Sequence, residues 1–239
     1  MALQSTATDI HLRSSQAFGL TSESPFSITC WMNCVWNPGV RHSFVGIYGP
    51  STDTPLGAPV TALQIGTGAG TYDLVCWTWG GGAMVSSAAG AMTGFNNIWV
   101  CIAYTYDGTT HRLYRNGVQI ASSTTAQIPG YLNQVYINGY PGGATSEVAS
   151  FQVDQYALFR RTLSADEVLS MYNASGSRHG DHYSLIARYE FDELSQGSTI
   201  TSVPDFTGGG STLTPTGVGT AMTYTYSSTL ANSNIRPVQ

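Results

Sequence analysis

At 239 residues the chain holds one large β domain or two small ones, and it is long enough to bury a proper core. Apolar content is an ordinary 42%, but only 10% of residues are charged, against about 25% in a typical domain, and all nine basic residues are Arg. The net charge of −5 leaves no basic footprint for nucleic acid and no polybasic membrane patch, and no run of ~18 apolar residues offers a span. The surface must therefore be built from Ser, Thr, Asn, Gln and Gly, which repels neighbours weakly and suits a protein that packs against others.

The N-terminus, MALQSTATDIHLRSS, lacks the basic region and apolar run of an export signal. The expectation is a chain that stays in the cytoplasm where it is made unless a larger assembly carries it out. In PFSITCWMNCVW, Phe26, Ile28, Cys30, Met32 and Cys34 alternate with Ser27, Thr29, Trp31, Asn33 and Val35, which is the period of a strand. Cys30 and Cys34 would sit ~13 Å apart on it, too far for a mutual disulfide. With Cys76 and Cys101 they match no zinc spacing, so buried free thiols are expected.

Further along, YDLVCWTWGGG places Trp77 and Trp79 on one strand face, about 6.6 Å apart, with Tyr72 opening the stretch. Paired aromatic faces can stack on sugar rings, whereas core or subunit packing is the commoner use of large aromatics. Gly80-Gly81-Gly82 follows a strand but lacks the Lys-Ser/Thr of a phosphate-binding loop, so it reads as an ordinary loop. In NIWVCIAYTYDG, Ile98, Val100, Ile102, Tyr104 and Tyr106 share one face and Trp99, Cys101, Ala103 and Thr105 the other, so this strand should be covered on both sides. Asp107-Gly108 and Asn116-Gly117 each close a hairpin, because these pairs tolerate the positive φ of tight turns. Asn138-Gly139 and Pro141-Gly142-Gly143 mark further turns.

In TLSADEVLSMYNASG, Ser164 and Glu167 form a capping box, followed by an apolar face of Val168, Leu169, Met171 and Tyr172 and a stop at Gly176. This predicts one short helix near 164–173. His179-Gly-Asp-His182 lies in a Ser/Gly/Arg-rich link and lacks further metal partners nearby. LIARYEFDEL, residues 185–194, puts Glu190 and Asp192 on one strand face, either as an acid/base pair or as the polar edge of a scaffold strand. Beyond about residue 206 the chain is mostly Gly, Ser and Thr, too polar to bury much alone.

Three stretches in order, SPFSITCWMN, WVCIAYTYDGTTHRLYRNGVQI and FQVDQYALFRRTLSADEVLSMY, resemble the laminin-G-like, concanavalin A-like lectin/glucanase family. The resemblance implies an all-β jelly-roll sandwich of two antiparallel sheets, often with a glycan-binding face and sometimes a calcium ion. Asp154, in the family's acidic strand position, is expected to be structural, through hydrogen bonds near the helix-bearing corner, and Asp107 to be a turn residue; a calcium ligand is the alternative role for each. The family's glucanases resemble E-x-D-x-x-E; Glu190, Asp192 and Glu193 give E-x-D-E, so no catalytic residues are assigned. A strand like LIARYEFDEL normally opens such a module, yet here it follows the helix.

The chain therefore resembles a circularly permuted module with a body over 1–178, returning strands over 179–215 and an extended arm over 216–239. A truncated second module, or completion of a neighbouring subunit's sheet, are the alternatives. The returning residues ~185–215 are expected to pair with strands near residues 9–20. The function expected is a non-enzymatic structural or adhesive module of a larger particle, most plausibly a phage virion protein that decorates a capsid or forms part of a fibre. Its partners would be other virion proteins or copies of itself in a homo-oligomer, with no nucleic acid and no membrane. A glycan-binding lectin or receptor-binding tip is the alternative, and a glycoside hydrolase is disfavoured by the missing acid pair.

Overall fold

The computed structural model describes residues 3–5, 11–21, 23–36, 42–48, 62–68, 71–78, 82–124, 134–138, 151–174, 184–191 and 199–216. Fourteen strands run in chain order: β1 (Leu3–Ser5), β2 (His11–Ser14), β3 (Phe26–Cys34), β4 (His42–Tyr48), β5 (Ala62–Thr67), β6 (Val75–Thr78), β7 (Gly82–Ser86), β8 (Val100–Tyr106), β9 (His111–Arg115), β10 (Val118–Ser123), β11 (Gln134–Ile137), β12 (Phe151–Phe159), β13 (Leu185–Tyr189) and β14 (Leu213–Thr216). One helix, α1 (Ala165–Ala174), lies between β12 and β13. The strands form two seven-stranded antiparallel sheets, the expected sandwich. The first has the order β1-β12-β3-β8-β9-β10, with β13 also paired to β12. The second runs β14-β2-β11-β4-β5-β6-β7. No helix among the described residues is long and apolar enough to cross a membrane.

The period-two reading of β3 and β8 selects the core. Phe26, Ile28, Cys30, Met32 and Cys34 point inward with Val100, Ile102, Tyr104 and Tyr106. They meet Phe44, Val45, Ile47, Ile65, Cys76, Val135 and Ile137 of the second sheet. Ile98 departs from its expected face: it precedes β8 and is exposed. The other face of β8 is buried as well, because Ala103 joins a second cluster with Phe159, Leu163 and Val168 beneath α1. All four cysteines are buried free thiols. Desolvation disfavours their thiolates, raising Cys30, Cys34 and Cys76 and pushing Cys101 up to about 12.

Local signals behave as their chemistry requires. Asn116 and Gly117 take φ of 50° and 79°, and the Asn116 side chain accepts the Cys101 amide at 2.9 Å. Glu167 N–H donates to Ser164 Oγ at 3.2 Å and Ser164 N–H to Glu167 at 2.8 Å, closing the capping box that starts α1. Val168 is buried and Tyr172 stacks on Trp31 at 5.8 Å, whereas Leu169 stays largely exposed. Gly82 opens β7 with φ of 83° instead of lying in the loop; Gly80, Gly81, the 139–143 turns, Gly176, the His179–His182 link and the arm beyond 216 fall outside the described residues.

The returning segment divides between the two sheets. Leu213–Thr216 pairs with His11–Ser14, as expected for the strand near residues 9–20. Leu185–Tyr189 does not; it pairs with β12, Tyr156 opposite Tyr189. The reason lies in β12, which is nine residues long. Strand β1 covers only its Phe151–Val153 end, and a register shift between Asp154 and Ala157 separates that end from the half that β13 takes. Seven apolar residues of the segment are buried: Leu185, Ala187, Tyr189, Phe191, Ile200, Val203 and Leu213. Glu190 follows β13, half-buried and ion-paired with Arg188 of its own chain segment, so it neutralises a strand neighbour; Asp192 and Glu193 lie outside the described residues.

Candidate functional site

Side chains that do not face the core define the outer surface of the second sheet. Register pairing puts seven residues in one lateral row there: Thr214, Arg13, Tyr136, Gly46, Gln64, Trp77 and Ala83. Its single charged member is Arg13. At ~4.8 Å per strand, Arg13 and Trp77 stand about 19 Å apart along it.

The β14–β2–β11 end of the row is the most elaborated. Arg13 is half-buried; its Nε donates to Gln134 Oε1 at 2.8 Å, and its guanidinium lies over the Tyr136 ring, 5.8 Å from the centroid. Gln134 in turn donates to the Ser14 carbonyl at 3.1 Å. Ser14 Oγ accepts the buried Val135 amide at 3.0 Å, so β2 and β11 are locked together by side chains as well as by the ladder. Tyr136 is 2% exposed, so its ring is a floor for the guanidinium. Beside Arg13 lie three hydroxyls: Thr214 directly opposite it, then Ser15 and Thr212, which meet at 3.5 Å. All three are at least partly exposed. The three hydroxyls at this sheet edge offer donors and acceptors of the kind that a polyhydroxylated ligand takes.

The residues singled out in the sequence are placed differently. Trp77 is 3% exposed and its ring packs against Gly66, so no ring face is available for stacking in this state. Tyr72 is half-buried with φ of 50° and packs on the core cluster, away from the outer row; Trp79 lies outside the described residues. Asp107 is consumed by its own turn. One carboxylate oxygen accepts Thr109 N–H, Thr109 Oγ1 and Thr110 N–H at 2.7–3.0 Å, and the other accepts Arg112 at 2.7 Å. Although partial burial works against the anion, these bonds hold it well below the usual carboxylate range. Asp154 is buried in β12 at the bulge, where Gln155 takes φ of 51°. Among the described residues no three His, Cys, Asp or Glu side chains gather as a cation site needs.

Sequence reasoning missed the Arg13 strip. Its members come from residues 13–15, 134–136 and 212–214, and only strand pairing joins them. The one signal available was an Arg in a chain with so few charges, set among strand residues in DIHLRSS.

Comparison with known proteins agrees with this architecture. The profile of the concanavalin A-like lectin/glucanases superfamily matches residues 6–169. A candidate carbohydrate-binding protein of Bacteroides ovatus superposes with a TM-score of 0.61 at 16% identity, over 93% of this chain and 59% of that one. The chain thus spans little more than half the length of that relative. A heptameric SAP-like pentraxin of Limulus polyphemus superposes with a TM-score of 0.54 at 13% identity, over 73% of this chain and 87% of that one. At such identities the likeness is one of fold. No curated protein matches the sequence.

Proposed function

The chain belongs to the concanavalin A-like lectin/glucanases superfamily, and from that premise we propose that it is a non-catalytic carbohydrate-binding module whose ligand lies across the β14–β2–β11 edge of the second sheet. The observation that carries this reading is the strip of Arg13, Ser15, Thr212 and Thr214, fixed from below by Gln134 and Tyr136. The Bacteroides ovatus relative's description as carbohydrate-binding supports it. A non-catalytic role is supported by four of the described carboxylates, which are engaged in structural contacts. Asp107, Glu167 and Glu190 are each held by an Arg, and Asp205 accepts the Arg188 and Thr207 amides in a turn.

A glycan array with the purified chain tests the proposal. Binding to at least one glycan class is expected, weakened tenfold or more in a Thr212→Val/Thr214→Val variant that melts like the parent. An array without signal, or binding indifferent to those hydroxyls, would refute it. Trp77→Ala is a poor probe of stacking, because removing a buried ring costs about 3–5 kcal/mol of stability and confounds any binding loss.

A second reading, a docking module of a larger particle such as a phage virion, is favoured by a different surface. Val118 (59% exposed) follows Gly117, where an added Cβ would come within 2.7 Å of Leu169 (41% exposed), on a chain with only 10% charged residues. Co-sedimentation with intact particles, lost in Val118→Asp, is the outcome this reading requires.

A further inference from the structure

We infer that the binding edge extends past Thr212 onto the loop before β14, where Phe206 stacks on a pyranose ring, and that its ligand is a neutral, β-linked glycan; this rests on the carbohydrate-binding reading above. Phe206 is 53% exposed, and it is the one aromatic among the exposed large apolar residues described. A single exposed apolar side chain is ordinary. What sets Phe206 apart is how firmly its turn is held. Its N–H donates to the Arg188 carbonyl at 2.9 Å. Asp205 Oδ1 accepts the Arg188 and Thr207 amides at 3.1 and 3.0 Å, and Oδ2 accepts Thr207 Oγ1 at 2.8 Å. At the base of the loop Val203 and Leu213 exchange two backbone bonds. The ring is thus carried on a fixed backbone, so stacking a ligand against it orders little that is not already ordered.

The same loop joins Phe206 to the hydroxyls. Gln16 N–H donates to Ser211 Oγ at 3.3 Å and Ser15 N–H to the Thr212 carbonyl at 2.9 Å, which seats the end of the loop beside β2. Between the ring and Thr212 lie Gly208, Gly209 and Gly210, all exposed. Gly208 and Gly210 take φ of 79° and 73°, and a Cβ on Gly208 would meet nothing within 4 Å. A ligand can approach such bare backbone closely. Gln16 is exposed, its amide nitrogen 3.5 Å from where a Cβ on Gly210 would stand. An aromatic ring, open backbone, a carboxamide and the hydroxyls of Ser15 and Thr212 pair one apolar face with donors and acceptors.

Ring chemistry selects the ligand class. An aromatic face is electron-rich and attracts slightly positive C–H bonds. A β-linked glucopyranose holds its hydroxyls and linkages equatorially, so axial C–H bonds cover both ring faces and polar groups line the rim. An α-linkage sets an oxygen on one of those faces. Residues 14–16 and 206–212 carry no charge, which suits a neutral sugar.

The test is calorimetric titration of the full chain with cellohexaose and with maltohexaose, which differ only in anomeric linkage, alongside the glycan array. At least tenfold tighter binding of cellohexaose is expected. That preference should be lost in Phe206→Ala and in Phe206→Leu, which is apolar without a ring, and kept in Phe206→Trp. Each variant should melt like the parent, because the bonds that hold the turn come from backbone, Asp205 and Thr207. The wild-type comparison needs no variant, so the inference stays testable even if a substitution perturbs the turn. Three results overturn it while leaving carbohydrate binding standing: equal affinity for the two oligosaccharides, cellohexaose binding unchanged in Phe206→Ala or Phe206→Leu, or no binding of either while the array reports other glycans. An array without signal overturns both.

Discussion

Replacing Leu213 by Ala should destabilise the whole sandwich, because the returning strand is part of its core. Leu213 is fully buried, and its backbone exchanges hydrogen bonds of 2.8 and 2.9 Å with Val203 while the residue pairs with Ser14 of β2. Its side chain joins Leu12, Val135 and Val203 in one cluster. Truncating a buried Leu removes about three methylene equivalents and leaves a cavity that a two-bond-anchored strand closes poorly, so a loss of about 2–5 kcal/mol is expected. That is a large fraction of the ~5–15 kcal/mol that holds a domain folded. Urea denaturation followed by circular dichroism reads the effect as a lower midpoint with an unchanged slope. Thr214→Ala, one residue on and facing outward, serves as the control and should stay within about 0.5 kcal/mol. If Leu213→Ala also falls within that margin, β14 is not an integral strand and the completion of the sandwich by residues 199–216 is wrong.

Gly66→Ala should also be costly, by about 1–3 kcal/mol or more, since the new Cβ would lie 1.8 Å from the His42 carbonyl oxygen inside a sheet paired on both sides; an unchanged melting temperature would contradict that packing. The Arg161–Glu167 pair gives a pH signature. Glu167 is lowered to about 2, first by its hydrogen bonds to Arg161, against an ordinary value of 4.5. Its contribution is therefore present above pH 4.5 and lost as pH falls toward 2. With the carboxylate 42% exposed, solvent screening limits it to about 1 kcal/mol. Glu167→Gln should thus be less stable than the parent at pH 7 and equal to it near pH 2, in paired thermal melts, and a gap that persists at pH 2 would assign the effect to packing.

Elements whose physics is local were legible from residue types alone. Alternation in PFSITCWMNC marks which side chains of β3 face the core, because a strand has only two faces and the apolar set occupies one. Asn116-Gly117 specifies a turn because its two residues accept positive φ, and Ser164 with Glu167 specifies where α1 starts because their side chains satisfy amides that a helix leaves open. What alternation cannot report is whether an outward face is later covered. Trp77 and Tyr136 both point away from the core, and both are buried nonetheless.

Nor can residue types choose a partner strand. LIARYEFDEL alternates as any strand would, and nothing within it distinguishes the edge of β2 from the uncovered half of β12. Length, the register shift between Asp154 and Ala157 and the short reach of β1 decide that, and all three are properties of the assembled sheet. The same holds for the candidate site. The sequence by itself determined a low-charge, two-sheet sandwich with a late strand out of its usual order. Only the tertiary structure brought Arg13, Gln134, Tyr136 and Thr214 together, because strand pairing, which acts between segments more than a hundred residues apart, sets which side chains share a row.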